Sequence, residues 1–209
     1  MIIAVDGPTA SGKGTIAKAL AAHYRLPHLD TGLLYRAVGR QVFLDGGDLD
    51  DAGDALAATT FPNALLADSE LRSEATGGLA SRISVHASVR QALYERQRSF
   101  ALQPGGAVLD GRDIGTVIAP DAEVKLFVTA SVEARALRRW KEMQLRGESH
   151  TLEEIEADLR RRDERDRTRA AAPLRAAEDA MILDTSNLDR DRAVAASIAL
   201  VEERLRPAC

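Results

Sequence analysis

The chain is poor in the residues that build disulfide frameworks, thiolate metal centres and base-stacking surfaces. Its 209 residues include one cysteine, Cys209, so no disulfide can form within one chain and no thiolate metal site exists. Aromatic residues make up only 4%, too few for the stacking platform of an RNA-binding fold. The four histidines lack metal-ligand spacing, and we interpret them as structural or exposed. They are His23, His28, His86 and His150.

Long apolar runs and a strong excess of one charge are also missing. No uninterrupted apolar run approaches the ~20 residues that cross a bilayer. The first residues lack the positive segment, apolar stretch and cleavage site of a signal peptide. The formal net charge is -4, with 45% hydrophobic and 29% charged residues, which argues against disorder and a general nucleic-acid-binding surface. We expect a cytoplasmic protein with neither a membrane nor a nucleic-acid polymer as partner.

Short apolar runs alternate with segments of helical character along the chain. This alternation predicts an α/β fold, in which a five-stranded parallel sheet is covered by helices on both faces. The length fits one domain. The predicted strands are residues 2–5, 28–29, 107–109, 124–128 and 181–183. The predicted helices are residues 15–24, 33–44, 89–102, 132–146, 152–169 and 190–206.

One stretch, residues 44–80, differs in composition from the rest of the chain. It is rich in Ala, Asp and Gly and poor in large apolar residues, and it shows no alternating strand pattern. We predict a peripheral insertion there. Further along, Thr151 and Glu154 have the spacing of a capping box and predict the start of a helix.

A glycine-rich loop between the first strand and the first helix has the spacing of a phosphate-binding loop. Its glycines let successive backbone N–H groups face one centre, the helix adds the positive end of its dipole, and Lys13 supplies a mobile charge. A glycine-rich turn without chemical importance is the weaker alternative in this setting. The predicted triphosphate-binding residues are Gly7, Pro8, Thr9, Ala10, Ser11, Gly12, Lys13, Gly14 and Thr15.

The residue after the lysine departs from the general pattern, which has Ser or Thr there. Gly14 intervenes and Thr15 follows, a variant that resembles the loop of nucleoside monophosphate kinases. Mg²⁺ keeps most of its waters, so we expect the phosphates to hold it, with help from the Thr15 hydroxyl. A GTP-driven switch protein is an alternative, but the guanine-reading Asn-Lys-x-Asp segment is absent.

Two further clusters follow predicted strands and lie at the same carboxyl edge of the sheet, where α/β folds bind ligands. Thr31 and Arg36 are spaced so that a hydroxyl and a guanidinium can address one small acceptor, although a helix cap with a solvated arginine fits equally well. Asp110 is placed as the acid near Mg²⁺. Arg112 and Asp113 exceed what a tight turn needs, so they indicate ligand contacts, with a surface ion pair as the alternative.

The densest run of charge, residues 158–169, predicts a helix with Arg162, Asp166 and Arg169 on one face and Arg165 close beside them. A solvated face of ion pairs is the usual interpretation of such a run. Opposite a phosphate loop, the same arginines can neutralise a transferring phosphoryl group, and Gly147 is a plausible hinge for such a lid. Three earlier arginines fit either ATP contacts or plain solvation. They are Arg135, Arg138 and Arg139.

Six motifs in order resemble those of the bacterial cytidylate (CMP) kinases, over most of the chain. The resemblance implies a P-loop fold and transfer of the γ-phosphoryl group of Mg·ATP to CMP or dCMP by a monomer or weakly associating chain. It also implies a core (residues 1–30, 104–145 and 178–209), a nucleoside monophosphate (NMP)-binding region (31–103) and a lid (146–170). Kinases for AMP or UMP are the alternatives. The motifs are GPTASGKGT, LDTGLLYR, VRQALYERQR, LDGRDIGT, PDAEVKLFVTAS and RRDERDRTRAAAPL.

The resemblance also implies roles for single residues. Catalysis would rest on Lys13, Asp110, Arg162 and Arg169. The residues that would bind the acceptor are Thr31, Arg36, Ser81, Arg90, Arg112, Asp113, Arg162, Asp166 and Arg169.

Among these, Ser81, Arg90 and Asp113 match the residues that read the cytosine ring. Asp113 can accept a hydrogen from the exocyclic amine while Arg90 and Ser81 donate to the other edge. Uracil carries a carbonyl in place of the amine, a mismatch of roughly 1–3 kcal/mol per unpaired buried group. We therefore expect a preference for CMP over UMP.

Overall fold

The sheet has five parallel strands in the order β2-β3-β1-β4-β5. The computed structural model describes residues 1–206, so Cys209 lies outside the described residues. The strands alternate with α-helices, apart from a π-helical turn after the third strand, and the connections return the chain to the opposite edge of the sheet as parallel pairing requires. The strands are β1 (Ile2–Asp6), β2 (His28–Asp30), β3 (Ala107–Gly111), β4 (Val124–Thr129) and β5 (Met181–Asp184).

Eight α-helices surround the sheet or form a layer beside it. Three short 3₁₀ turns, Ala58–Thr60, Asn63–Ala67 and Ser69–Arg72, and one π-helical turn, Ile114–Ile118, complete the elements of the described chain. The helices are α1 (Lys13–Tyr24), α2 (Thr31–Leu44), α3 (Ala52–Ala57), α4 (Glu74–Ile83), α5 (Ala87–Ala101), α6 (Val132–Leu145), α7 (Leu152–Thr168) and α8 (Arg190–Leu205).

The predicted α/β fold is confirmed, and every predicted strand and helix is present with ends shifted by at most two residues. Several strands extend into polar residues because the ladder continues there: Asp6 pairs with Gly111, and Asp30 pairs with Asp110. The capping box is also present, since Thr151 accepts from the Glu154 amide and Glu154 accepts from the Thr151 amide. None of the helices in residues 1–206 has the length and apolar composition needed to cross a bilayer.

Both faces of the sheet are buried along β1, β3 and most of β4, as expected for parallel strands with apolar residues throughout, while the edge strand β5 leaves Ile182 exposed. Side chains alternate between the faces. On one face, Ile3, Val5 and Leu126 pack against α1 and α8. On the other, Ala4 and Leu109 pack against α5 and the π-helical turn. The loops that follow the strands are thereby held at one edge.

The prediction of a peripheral insertion at residues 44–80 is wrong in one respect. The region is helical and has no strand among its described residues, as expected, but it is not peripheral. Its widely spaced apolar residues, including Leu49, Phe61 and Leu71, join α2 and α5 in a second hydrophobic core. Gly39 allows α2 to approach α4, since a Cβ there would lie 2.8 Å from the Leu79 Cβ. The composition of this stretch predicts no core, because single apolar residues far apart in the sequence come together only in the folded chain.

Candidate active site

The carboxyl ends of β1, β2 and β3 bring three aspartates to one edge of the sheet. Asp6 and Asp110 are buried, and Asp30 is half-buried between them and the solvent. The glycine loop leaves β1 at this edge, and α2 begins directly after Asp30. Parallel strands always expose their ends and following loops together, so this edge is where a ligand meets the largest number of polar groups.

The loop between β1 and α1 has the curled backbone that its glycines predict. Gly7, Ala10 and Gly12 have positive φ angles of 155°, 61° and 89°. Gly7 is required for space as well, because a Cβ there would lie 2.0 Å from the Val128 carbonyl oxygen. Turns of this kind point consecutive N–H groups at one centre, and the N-terminus of α1 adds its dipole. The loop can therefore hold a phosphate chain.

Side chains from distant parts of the sequence fix the loop in place. The Thr185 hydroxyl donates to the Ser11 carbonyl at 2.9 Å. Arg135 donates to the Thr9 carbonyl at 3.2 Å, and Arg112 donates to the Thr9 hydroxyl at 2.6 Å. The Lys13 ammonium donates to the Pro8 carbonyl at 3.2 Å. The anion-binding geometry is thus built before any ligand arrives.

Two cavities open on either side of the loop. The smaller, about 260 Å³, lies between the loop, α2, α4 and α7. The larger, about 590 Å³, lies between the loop, α6 and the start of α8. Both are lined by Ala10, Lys13, Gly14 and Arg139. Two ligands placed in these cavities would meet at Lys13, which is the arrangement that direct group transfer needs.

The electrostatics around Lys13 are unusual. Burial, followed by the nearby Arg112 guanidinium, lowers the pKa of the Lys13 ammonium to about 7. Burial raises the pKa of Asp6 to about 7, although this carboxylate accepts 2.8 Å hydrogen bonds from the amides of Ile114 and Gly115. An anionic ligand in either cavity would favour the charged form of Lys13.

Asp110 has a partner that sequence reasoning missed. His28 Nε2 lies 2.7 Å from Asp110 Oδ1, across the β2–β3 pair. His28 and Asp30 are two residues apart on β2 and therefore share a face, which was the available signal. Burial, together with the Asp110 carboxylate, raises the pKa of Asp30. The Thr31 hydroxyl donates to the Asp110 carbonyl at 2.8 Å, so Thr31 ties α2 to β3 rather than capping the helix.

A buried ion cluster lies deeper in the smaller cavity. Arg90 donates to Asp113 in a short ion pair, and Arg169 lies 3.8 Å from the other oxygen of the same carboxylate. Arg90 also lies over the Tyr35 ring, 5.5 Å from its centre. Burial lowers the pKa of Arg169. Arg90 and Asp113 are thus paired with each other. The pairing holds both side chains at positions from which they can contact the small ring of a ligand.

Helix α7 sends a row of charged side chains into the smaller cavity. Asp166 accepts a 2.8 Å hydrogen bond from Arg112. Arg162 pairs with Asp158 at 2.8 Å, and its pKa is lowered by burial. Arg162 and Asp166 lie on one face of α7 as predicted, whereas Arg169 follows the last helical residue and has an extended backbone. All three side chains are buried. A purely solvated face is therefore the wrong interpretation of this run.

The opposite wall of the cavity comes from α2 and α4. Arg36 donates to the carbonyls of Leu71 and Ser73 at 2.9 Å each, and burial lowers its pKa to about 10. Arg165 of α7 donates to the Ser81 hydroxyl of α4 at 2.5 Å. Helices α4 and α7, which are far apart in sequence, thus enclose the smaller cavity together.

The structure gathers most of the predicted site residues. All nine predicted acceptor-binding residues line the smaller cavity, as do Thr9, Ala10, Lys13, Gly14 and Asp110. Ser11, Gly12 and Thr15 line the larger cavity, while Gly7 and Pro8 line neither. Solvation is the wrong alternative for Arg135 and Arg138. Arg135 pairs with Asp163 at 2.5 Å, and Arg138 donates to the Thr185 hydroxyl at 3.0 Å.

The donor groups fit a magnesium ion held mainly by phosphates. Within residues 1–206 there is no group of three His, Cys, Asp or Glu side chains that could hold a metal ion. Thr15 is exposed in the larger cavity, and Asp110 Oδ2 lies near the loop, 3.6 Å from where a Cβ of Gly14 would be. One hydroxyl and one carboxylate beside a phosphate-binding loop suit an ion that keeps its waters.

Comparison with known proteins gives matches along almost the whole chain. A family model described as cytidylate kinase matches residues 3–203. A cytidylate kinase of Xanthobacter autotrophicus is 57% identical over 204 residues, covering 98% of each chain. One of Cereibacter sphaeroides is 56% identical over 202 residues, covering 97% of this chain and 95% of the relative.

A solved structure is also similar. The crystal structure of an uncharacterized protein of Eubacterium ventriosum has a TM-score of 0.53 and 16% identity, covering 97% of this chain and 98% of its own. At this identity the likeness concerns the fold alone.

Proposed function

We propose, from the premise that this chain belongs to the cytidylate kinase family, that it transfers the γ-phosphoryl group of ATP to CMP. The products are CDP and ADP. The observation that carries the proposal is the pair of cavities that meet at Lys13 and Arg139. By the family resemblance, dCMP is a second acceptor.

ATP binds across the larger cavity, with its phosphates in the loop. Gly7 and Gly12 allow the loop amides to face the phosphates, and Lys13 neutralises charge on the transferring group. When bound, Mg²⁺ would supply positive charge that offsets the negative charge of the phosphates. The Thr15 hydroxyl and the Asp110 carboxylate would hold the ion and its water shell.

CMP binds in the smaller cavity. Its phosphate lies among Arg36, Arg112, Arg162 and Arg169, with Thr31 beside them. This ring of guanidinium groups brings an acceptor oxygen towards the loop and offsets the repulsion between two anions. The acceptor oxygen forms a bond to the γ-phosphorus as the bond to the β–γ bridging oxygen breaks, and that oxygen leaves with ADP.

The sugar and base are read by groups deeper in the cavity. Asp166 accepts from a ribose hydroxyl, and Asp113, Arg90 and Ser81 address the edge of the cytosine ring. Their positions in one cavity support these roles. Asp113 keeps lone pairs for the exocyclic amine beside its ion pair with Arg90.

Helix α7 acts as a lid over both substrates. Residues 146–170 form the lid, 31–103 the NMP-binding region, and 1–30, 104–145 and 178–209 the core. Closure excludes water, which would otherwise receive the phosphoryl group. We propose that the chain works as a monomer in the cytoplasm, where its lone cysteine stays reduced.

A coupled phosphoryl-transfer assay tests this function. CMP, dCMP, UMP, AMP and GMP are offered in parallel with Mg·ATP, and kcat/KM is measured for each. CMP and dCMP should give the two highest values. A higher value for AMP, GMP or UMP, or hydrolysis of ATP without an acceptor product, contradicts the proposal.

A further inference from the structure

A contact between the lid and the acceptor cavity involves an arginine with no role in the proposed reaction. Arg165 on α7 donates from Nη1 to the Ser81 hydroxyl on α4 at 2.5 Å. Ser81 lines the smaller cavity together with Arg90 and Asp113. Arg165 is half-buried and is not among the residues that line the cavity.

The chemistry of the pair fixes the direction of the hydrogen bond. A guanidinium has only donors, so the Ser81 oxygen must accept and its own hydrogen must point elsewhere. The hydrogen bonds of residues 1–206 provide no protein acceptor for that hydrogen. Arg165 occupies one lone pair of the Ser81 oxygen, and its positive charge turns the hydroxyl hydrogen away from α7, so Ser81 can donate into the cavity that it lines.

We propose that Arg165 is a specificity-determining positioning residue, which holds Ser81 as a hydrogen-bond donor to the pyrimidine edge. This inference rests on the proposed function. Cytosine N3 is an acceptor, whereas uracil N3 carries a hydrogen. A fixed hydrogen-bond donor can therefore bond to N3 of cytosine, whereas at N3 of uracil it meets a second donor. Without Arg165 the Ser81 hydroxyl can rotate and accept, which relaxes the discrimination.

A purely structural link between α4 and α7 would behave differently. Loss of such a link would lower kcat/KM for CMP and UMP by the same factor, since both substrates need a closed cavity. Loss of the fixed donor changes the ratio of the two values. The CMP-to-UMP ratio of kcat/KM therefore separates positioning of Ser81 from general support.

The test compares Arg165→Met, Arg165→Lys and Ser81→Ala with the wild-type enzyme. R165M removes the donor and should lower the CMP-to-UMP ratio about five- to tenfold, the value of one hydrogen bond. R165K keeps a donor and should retain most of the ratio. S81A should lower the ratio, and R165M added to S81A should lower it no further.

A matched control is Arg167→Met on the same helix. Arg167 is exposed and pairs with Glu164 at 2.7 Å, away from the cavity, so its loss should leave the ratio unchanged. If R165M does not fold, Arg165→Gln replaces it, because a glutamine amide can accept as well as donate and the ratio should still fall.

An unchanged ratio in R165M or its substitute R165Q, with a lowered ratio in S81A, would overturn the inference. So would equal losses for CMP and UMP, or no effect of S81A. Absence of CMP phosphorylation by the wild-type protein is a different outcome, which overturns the proposed function itself.

Discussion

At the scale of single residues, the protonation state of Lys13 depends on whether a phosphate ligand is bound. Its ammonium has a pKa of about 7 because of burial and the Arg112 charge. Bound phosphates raise that pKa, so binding above pH 7 requires uptake of a proton. Below pH 7 the lysine is already charged and no uptake is needed.

The affinity for ATP should therefore weaken as pH rises above 7, by up to about tenfold per pH unit. Isothermal calorimetry at pH 8 in buffers of different ionisation enthalpy should detect the uptake of up to one proton. Lys13→Met should abolish the uptake, while Lys141→Met should not, because Lys141 is an exposed lysine on α6 that is not among the residues lining either cavity. Equal heats in all buffers for the wild-type protein would contradict this assignment.

Asp113 allows a second test at this scale. Asp113→Ala removes the acceptor for the cytosine amine and leaves buried Arg90 without its ion-pair partner. Activity with CMP should fall by about 30- to 150-fold, given roughly 2–3 kcal/mol for a charged hydrogen bond. Activity with UMP should fall less, because uracil has no amine to lose. Measured values of kcat/KM whose ratio stays at the wild-type level would reject this role.

The site residues differed in how well the sequence revealed them. Lys13 and Arg36 stand in motifs with a chemical reason for each position, and they lie where the motifs predict. The sequence indicates a structural or exposed His28 and places Arg165 beside the lid arginines, but it does not reveal their partners, which lie 82 and 84 positions away. Asp6 was also missed, although a carboxylate at the end of a buried strand is a usable signal.

At the scale of elements, the end of helix α6 sets the direction in which the chain enters the proposed lid. Helix α6 ends near Gly147, which has a φ of 76°. The amides of Gly147 and Glu148 bond back to the carbonyls of Gln144 and Met143, so the chain leaves the helix in a fixed direction towards α7. A residue with a Cβ is strained in this conformation.

Gly147→Ala should lower the free energy of unfolding by about 1 kcal/mol and change kcat, because it stiffens the proposed lid hinge. Nothing lies within 4 Å of a Cβ at this position, so packing plays no part. Gly46→Ala is the matched control, with a φ of 70° and equally open surroundings outside the lid. Chemical denaturation and steady-state kinetics should show similar stability losses but a kcat effect only at Gly147.

The elements themselves were largely predictable, and the packing of the acceptor region was not. Buried parallel strands leave continuous apolar runs, so β1 and β4 could be located by sequence alone. The region after α2 has isolated apolar residues such as Leu49 and Leu71, which show no period. Its core forms only because α2 and α5 supply the facing surfaces. These helices lie outside the region, so the sequence of the region alone does not reveal the packing.

At the scale of the whole molecule, Arg112 connects the two substrate sites. It donates to the Thr9 hydroxyl in the phosphate loop at 2.6 Å and to Asp166 on α7 at 2.8 Å. Phosphates bound in the loop lie beside Thr9, and Arg112 links Thr9 to Asp166 at the acceptor cavity. ATP and CMP should therefore bind with positive coupling, and each must strengthen the other by the same factor.

We expect a non-hydrolysable ATP analogue to tighten CMP binding about three- to tenfold in the wild-type protein, near the lower end of known couplings. Arg112→Met weakens CMP binding directly, but the informative quantity is the ratio of its CMP Kd values without and with the analogue. That ratio should fall towards one, whereas Arg160→Met, on the exposed side of α7 and paired with Glu156, should keep it. Calorimetric titrations of CMP with and without the analogue measure both. Coupling that survives in R112M would mean that the two sites communicate through other contacts, such as Arg139, which lines both cavities.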